Sequence, residues 1–160
     1  MWHAAALQAE RAAAGNAMSP IAATADVVNS QSPGADVEFR QSIPIFRMFS
    51  VEKAREFYLA YLGFAVDWEH RFEPELPLYM QVTRGGLTLH LSEHHGDCTP
   101  GARIFVEMTG VKELHAELGA KNYGYLRPGL NKEPWGLSVT VTDPFMNRIT
   151  FNDRSIQPNA

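Results

Sequence analysis

Residues 41–63 read QSIPIFRMFSVEKAREFYLAYLG and combine a strand, a helix and a helix end in one short segment. The β-branched and aromatic residues at 43–49 predict a strand, in which Pro44 is tolerated near the beginning or on a sheet edge. Ser50 suits a helix N-cap, and apolar side chains recur with helical spacing over residues 51–62. Gly63 then stands where helices commonly end. The segment therefore predicts a strand followed directly by an amphipathic helix.

Three further strands are predicted after this helix, and the same order of elements then recurs. One strand is expected at 64–69, and a hairpin around Arg84-Gly85-Gly86 joins strands at 78–83 and 87–92. In the second half, a strand at 102–108 and a helix at 111–121 precede strands at 123–127, 137–142 and 148–152. The two helices begin sixty residues apart, at Val51 and Val111. Each half of the chain therefore reads βαβββ.

The repeat predicts an α+β fold in which two βαβββ modules form a curved, mixed, eight-stranded sheet around a cleft, with the helices outside. Module one covers residues 41–95 and module two residues 100–154, within one domain at 39–154. Residues 1–38 are rich in Ala, Ser and Pro and are interpreted as a flexible extension, and 155–160 as a tail. A chain of 160 residues suits a single domain of this kind.

Bulk composition disfavours several classes of partner. The formal net charge is −4 and basic residues form no run, which argues against nucleic acid and anionic membrane surfaces. No apolar run approaches the ~18 residues that a membrane span needs. The one cysteine, Cys98, cannot form an intramolecular disulfide, and a reducing compartment fits. We therefore expect a cytoplasmic protein that binds neither nucleic acid nor membrane.

Three motifs resemble the glyoxalase/bleomycin-resistance/dioxygenase superfamily, also called the vicinal-oxygen-chelate superfamily: AREFYLAYLGF at 54–64, LTLHLSEHHGD at 87–97 and EPWGLSVTVTDPFMNRITF at 133–151. The resemblance covers about residues 41–153. Pro134-Trp135-Gly136, followed by a strand and Asp143-Pro144, is most similar to the bleomycin-resistance branch. In that branch a proline at the position of Pro44 is associated with exchange of the first strand between two subunits. Met146 departs from the pattern, because many relatives have glycine there. If this position needs a positive φ, the turn is expected to differ in type here.

Enzymes of this superfamily hold a divalent ion at four inward positions, two in each module. The resemblance places these positions at Ile43, His90, Arg103 and Thr150, of which only His90 is a credible ligand. We therefore expect no metal and no other cofactor, with His90 as a minor possibility. A second minor possibility is the loop that contains His94 and His95, where a solvated or loop-bracing role is the simpler interpretation.

Strand alternation predicts which side chains face the cleft. These inward residues mix apolar, charged and hydrogen-bonding groups, as small-molecule sites do: Arg47, His90, Arg103, Phe105, Glu107 and Thr150. The resemblance to the bleomycin-resistance branch adds three aromatic residues that would line a drug groove: Trp68, Tyr79 and Trp135. A planar heteroaromatic ligand would stack on such rings, and a cationic tail would meet tryptophan faces or carboxylates. Arg47 and Arg103 would instead suit an acidic ligand unless Glu107 pairs with one of them.

These features favour a non-catalytic protein that sequesters a bulky aromatic antibiotic, of cationic glycopeptide type, by stoichiometric capture. The alternative is a metal-dependent glyoxalase-like lyase or isomerase, or a dioxygenase, with an atypical ligand set; the missing donors disfavour it. A third hypothesis is an interaction module whose cleft is vestigial. The resemblance also implies a homodimer with two clefts shared between subunits, which open sheet edges would favour.

Overall fold

The structure, a computed structural model, describes residues 37–156. The predicted extension at 1–38 lies outside the described residues except for residues 37 and 38, and the predicted tail at 155–160 except for residues 155 and 156. The order βαβββ occurs twice, as predicted. The first module comprises β1 (Ile45–Arg47), α1 (Val51–Ala54) with a π-helical continuation (Arg55–Tyr61), β2 (Ala65–His70), β3 (Tyr79–Arg84) and β4 (Leu87–Ser92). The second comprises β5 (Arg103–Glu107), α2 (Val111–Ala120), β6 (Leu130–Glu133), β7 (Gly136–Thr142) and β8 (Arg148–Asp153).

The eight strands are hydrogen-bonded as two sheets of four. Sheet A has the order β1-β4-β3-β2 and sheet B the order β5-β8-β7-β6. β1 runs parallel to β4, and β5 runs parallel to β8. The other neighbouring strands are antiparallel, so both sheets are mixed. Ile45 pairs with His90 in sheet A, and Phe105 pairs with Thr150 at the positions sixty residues later in sheet B. The predicted two-module α+β fold is confirmed.

One face of each sheet packs against the helices in a single hydrophobic core. Phe46 and Leu89 of sheet A and Val139 and Ile149 of sheet B are buried in it. Because successive strand residues point to opposite faces, the residues between them lie on the other face of each sheet. We call this second surface the open face of sheet A or sheet B. Among residues 37–156, no helix combines the length and apolar character that crossing a bilayer requires.

The first helix begins where predicted but changes its winding after one turn. Ser50 caps it, since its side-chain Oγ accepts a hydrogen bond from the backbone N–H of Lys53 at 3.2 Å. From Arg55 the helix is π-helical, and the N–H of Leu62 bonds the carbonyl of Phe57 at 2.8 Å. The wider turn accompanies complete burial of the adjacent residues Phe57 and Tyr58. A periodicity of 3.6 residues does not predict this change.

The strand predicted at 123–127 is wrong, and the edge strand of sheet B is instead β6, Leu130–Glu133. Asn122 adopts a left-handed φ of 47°, which turns the chain after α2. Tyr123 then stacks on Tyr61, with ring centroids 4.6 Å apart and planes 20° from parallel. The aromatic and apolar residues that suggested a strand therefore pack on the first helix rather than pair in the sheet.

The turn between β7 and β8 connects the two modules. Asp143 accepts hydrogen bonds from the backbone N–H groups of Phe145 and Asn147 and, at 2.7 Å, from the buried hydroxyl of Tyr58. Asn147 donates its side-chain amide to the carbonyl of Arg47 at 2.8 Å. Burial raises the pKa of Asp143, and burial beside this carboxyl raises the pKa of Tyr58 well above its usual value. Met146 has a φ of 72°, so the positive φ that a glycine would adopt is kept despite the change of residue.

Candidate functional site

An aromatic platform occupies the open face of sheet A. The rings of Trp68 and Tyr79 stack nearly parallel, with centroids 5.9 Å apart and planes inclined by 7°. His90 meets both rings edge-on, at 5.4 Å from Trp68 and 5.2 Å from Tyr79. Three residues predicted for the site are therefore brought together. We call Trp68, Tyr79 and His90 the aromatic platform.

A β-bulge in β2 places the Trp68 side chain on this face. Val66 pairs with Val82, but the next pair is Trp68 with Gln81, so Asp67 is an extra residue in β2. Asp67 and Trp68 consequently both reach the open face, although they are neighbours in sequence. The side chains of Gln81 and Thr83 donate to the same Asp67 carboxylate oxygen, at 2.9 and 2.5 Å. Strand alternation alone would have placed one of the two on the opposite face.

The platform is joined by a directional chain of hydrogen bonds. The Gln81 amide donates to Asp67, so its oxygen faces His90 and accepts from His90 Nε2 at 2.9 Å. An amide oxygen can only accept, which assigns the proton of a neutral imidazole to Nε2. Nδ1 is then an acceptor, and it receives the hydroxyl of Tyr79 at 2.8 Å. We call the chain Tyr79–His90–Gln81–Asp67 the relay.

The protonation states along the relay agree with this direction. The hydrogen bonds from Thr83 and Gln81 lower the pKa of Asp67, which keeps the carboxylate ionised. Burial lowers the pKa of His90, so the neutral imidazole is favoured. Burial, followed by the nearby Asp97 and Cys98, raises the pKa of Tyr79, which keeps its hydroxyl a donor. At neutral pH the relay carries one negative charge, at its exposed end on Asp67.

Further aromatic residues extend the platform along the same edge, and two of them, His70 and Phe72, were not among the predicted site residues. His94 lies 6.4 Å from Tyr79, and Phe72 lies 6.1 Å from His94 between centroids. His70 packs edge-on to Phe72 at 4.8 Å. Phe72 is exposed over 73% of its surface. Phe72 lies in the loop after β2, where no strand or helix periodicity marks a residue as part of a site. The nearby histidine in the sequence, His70, was the one signal that could have indicated it.

Arg47 lies at one end of this face. It pairs with Ser92 across β1 and β4, and Ser92 pairs with Tyr79, so Arg47 shares a cross-strand row with the platform. Its guanidinium carbon stands 4.9 Å from the ring centroid of Phe49. The Nη1 atom is buried and has no hydrogen-bond partner among the described residues. The side chain lines a cavity of about 360 Å³ together with Arg71, Glu75 and Glu93.

The open face of sheet B brings together a second group of predicted site residues. Arg103, Phe105 and Glu107 alternate along β5 and all three are exposed. Arg103 donates weakly to the hydroxyl of Thr150, at 3.4 Å between Nη2 and Oγ1, and Thr150 shares a hydrogen bond of 3.0 Å with Thr140. Glu107 pairs with Arg154 at 2.5 Å and not with Arg103. Glu107 therefore does not pair with Arg103, and the condition under which that arginine would be neutralised is not met.

Trp135 stands at the tip of the β6–β7 hairpin, half exposed at 50%. Its carbonyl accepts from the side-chain amide of Asn152 at 3.3 Å, which places it at the Glu107 end of the face. Gly136 is required beside it, because its φ is 135° and an added Cβ would lie 2.4 Å from the carbonyl oxygen of Asp153. Asn152 is fully buried, and its Oδ1 has no partner among the described residues.

The four positions at which relatives ligate a metal do not fit one here. Both nitrogens of His90 are engaged in the relay, so a metal would have to displace Tyr79 or Gln81. The hydroxyl of Thr150 is bonded by Arg103 and Thr140, Arg103 is cationic, and Ile43 has no donor atom. Within residues 37–156, no three His, Cys, Asp or Glu side chains are grouped as a metal site requires.

The loop with the two adjacent histidines is held by Ser92. The Ser92 hydroxyl donates to Asp97 at 2.5 Å and accepts from the backbone N–H of His94 at 3.0 Å. These bonds close the loop against the end of β4. They agree with the loop-bracing interpretation of this segment.

The family model described as glyoxalase superfamily protein matches residues 27–157. The chain belongs to the glyoxalase superfamily. This membership confirms the predicted superfamily, and solved structures support its bleomycin-resistance branch. The bleomycin-binding protein from Streptomyces verticillus, complexed with copper(II)-bleomycin, is 25% identical, with a match covering 73% of this chain and 98% of that chain and a TM-score of 0.57.

Two other solved structures share the fold of this glyoxalase-superfamily chain. TnmS3, an antibiotic-binding protein from Streptomyces sp. CB03234, is 22% identical; the match covers 73% of this chain and 98% of that chain, with a TM-score of 0.56. A bleomycin resistance determinant encoded on transposon Tn5 is 16% identical, with coverage of 74% and 100% and a TM-score of 0.57. No curated protein matches the chain.

Proposed function

We propose that this protein is a non-catalytic binding protein that captures a bulky aromatic antibiotic of the bleomycin type. The observation that supports this function best is the aromatic platform, a stacked Trp68–Tyr79 pair at the surface whose histidine already has both nitrogens bonded. A histidine held neutral and fully bonded orients rings and is poorly placed to move protons. The two structural neighbours described as antibiotic- or bleomycin-binding at similar coverage are consistent with this function.

The relay gives the platform a fixed shape and one fixed charge. A planar heteroaromatic group stacked on Trp68 would gain about 0.5–1.5 kcal/mol beyond area burial. A cationic part of the same ligand would meet Asp67, whose lowered pKa keeps it ionised beside the indole. The ring positions are set before binding, so little conformational freedom is lost on capture.

The complete site includes a second copy of the chain in this proposal. The two groups of site residues lie on different sheets, and both open faces point away from the shared core. A second copy would bring the open face of sheet B, with Trp135, Phe105 and Thr150, opposite the aromatic platform. Pro44 directly precedes β1, and its carbonyl accepts from the N–H of His90 at 3.0 Å. We assign Pro44 to exchange of the first strand between the copies and place the dimer in the cytoplasm.

Calorimetric titration with copper(II)-bleomycin tests this function. We expect submicromolar binding at one drug per chain. Trp68→Ala and Trp135→Ala should each weaken binding by about ten- to a hundredfold, the usual range for an aromatic anchor. Tyr125→Ala is the matched control, because this ring is 79% exposed on the loop after α2 and contacts Lys53, away from both open faces.

The proposal fails if wild-type protein with a native circular dichroism spectrum gives no heat at two temperatures with this drug. Equal losses in the Tyr125 and Trp68 variants would also contradict it, since binding would then not depend on the platform. Light scattering of the same samples tests the dimer, which should persist in Trp68→Ala.

A further inference from the structure

Two arginines lie side by side on the open face of sheet B. Arg103 on β5 and Arg148 on β8 are in-register partners of the parallel pair, and both are exposed. Side chains that pair in register on one face lie close enough for their charges to interact, and like charges in this arrangement are destabilising. The pair therefore concentrates positive charge on a chain whose formal net charge is −4.

Within residues 37–156, no carboxylate neutralises this pair. Among the described residues, neither guanidinium forms an ion pair, and the nearest acid on β5, Glu107, is bound to Arg154 at 2.5 Å. The side-chain contact of Arg103 is the weak bond to the Thr150 hydroxyl. Guanidinium groups recognise carboxylates, sulfates and phosphates with paired N–H donors, and here two arginines pair in register on one face.

The fold itself does not require arginine at these positions. The two modules share a register displaced by sixty residues, and the corresponding positions in sheet A are Ile43 and Thr88. Neither carries a charge, and the β1–β4 ladder begins two residues later, at Ile45 and His90. The repulsion between Arg103 and Arg148 is thus specific to the open face of sheet B.

We propose that Arg103 and Arg148 form an anion subsite that holds a carboxylate, sulfate or phosphate group of the captured aromatic compound. Phe105 is the next exposed residue along β5, at 49% exposure, and offers a ring beside the anion. Glu107 and the neighbouring Trp135 lie four residues further, about 13 Å at the strand rise of ~3.3 Å per residue. The ligand class is an aromatic compound that carries an acidic group about 13 Å from the part that meets Trp135. This inference rests on the proposed capture of an aromatic ligand.

Naphthalene-2-sulfonate and the neutral naphthalene-2-sulfonamide are suitable probes, because they share the ring system and differ in charge. We expect the sulfonate to bind at least tenfold more tightly to wild-type protein, the equivalent of about 1.4 kcal/mol. Arg148→Gln and Arg103→Gln should each remove most of that preference and leave the affinity for the sulfonamide unchanged. Lys112→Gln is the matched control, because it removes one exposed positive charge from α2.

Thermal unfolding with inorganic sulfate at constant ionic strength supplies a second readout. Low millimolar sulfate should raise the Tm of wild-type and Lys112→Gln protein, but not that of Arg148→Gln. Without sulfate, Arg148→Gln should be at least as stable as wild type, because the like charge at the paired position is removed.

Equal affinities of the two naphthalene probes for wild-type protein would overturn the subsite. Equal loss of preference in the Lys112 and Arg148 variants would also overturn it, since the effect would then be general charge. If copper(II)-bleomycin fails to bind while sulfonate and sulfate respond as expected, the subsite stands and the proposed antibiotic class fails. If the drug binds but neither sulfonate nor sulfate gives the expected response, the capture function stands and the subsite proposal fails.

Discussion

The open faces of sheet A and sheet B use the same backbone for different chemistry. Positions sixty residues apart carry His90 in one sheet and Thr150 in the other. On the open face of sheet A, the relay joins Tyr79 through the neutral His90 to the carboxylate of Asp67. Sheet B carries adjacent arginines with no ion-pair partner among the described residues. Duplicated backbone thus fixes where side chains stand, and the residues placed there decide what each face binds.

The helices differ in the same way. Tyr58 of the first helix donates to Asp143 in the second module, whereas the position sixty residues later is the apolar Leu118. The second helix reaches the first module through a different contact, the ion pair of Glu117 with Arg84 at 2.6 Å. Because the two modules differ at such positions, variants at three of them can test what each module contributes.

Replacing Tyr58 by phenylalanine should have the largest effect. The variant loses a buried hydrogen bond to a carboxylate, and we expect the free energy of unfolding to fall by about 1.5–3 kcal/mol. Tyr61→Phe is the matched control: its hydroxyl is buried without a partner among the described residues, so its removal should cost nothing or slightly stabilise. Urea unfolding of both variants is the measurement. Equal losses would show that the Tyr58–Asp143 bond does not connect the modules.

The neutral histidine of sheet A predicts a moderate dependence of stability on pH. Because burial lowers the pKa of His90, the unfolded chain takes up a proton first as the pH falls below about 6.5. The free energy of unfolding should therefore decrease as the pH falls from that value through the folded-state pKa of His90. His90→Gln should flatten this part of the curve. Nitrogen NMR should find the proton on Nε2; a proton on Nδ1 at neutral pH would contradict the direction of the relay.

The smallest effect is expected at the turn of the second module. Met146 holds a φ of 72°, while the hairpin turn of the first module has a glycine, Gly85, at a φ of 56°. Met146→Gly should raise the free energy of unfolding by about 0.5–1 kcal/mol, since glycine adopts this conformation without the Cβ penalty. Met146→Ala retains the Cβ and should show no gain. A similar rise in both variants in a thermal melt would mean that φ is not the cause.

Much of the architecture could be predicted from the sequence because strand and helix signals recurred at one spacing. The pairing of Ile45 with His90 and of Phe105 with Thr150 follows that spacing. The edge strand of sheet B was misplaced because Tyr123 has a strand-like character that its stacking on Tyr61 overrides. The π-helical winding was missed for a similar reason, since it depends on packing and not on periodicity.

The candidate site was predictable in part. Alternation places Gln81 on the same face as Tyr79, so the middle of the relay had a sequence signal. Asp67 had none, because the bulge that directs it to this face depends on how β2 pairs with β3. The pairing of Glu107 with Arg154, rather than with Arg103, likewise depends on side-chain reach beyond the strand.

The bulge in β2 also affects how this strand should be aligned with those of other superfamily members. Asp67 is the extra residue of the bulge, and Trp68 is the residue that pairs with Gln81. A relative whose strand is one residue shorter would therefore keep the residue equivalent to Trp68 and lose the carboxylate of Asp67. In such a relative the amide of the residue equivalent to Gln81 would lack its anchor, and the histidine tautomer would no longer be specified. A single-residue gap at position 67 would therefore distinguish members that share the tryptophan from members that share the whole relay.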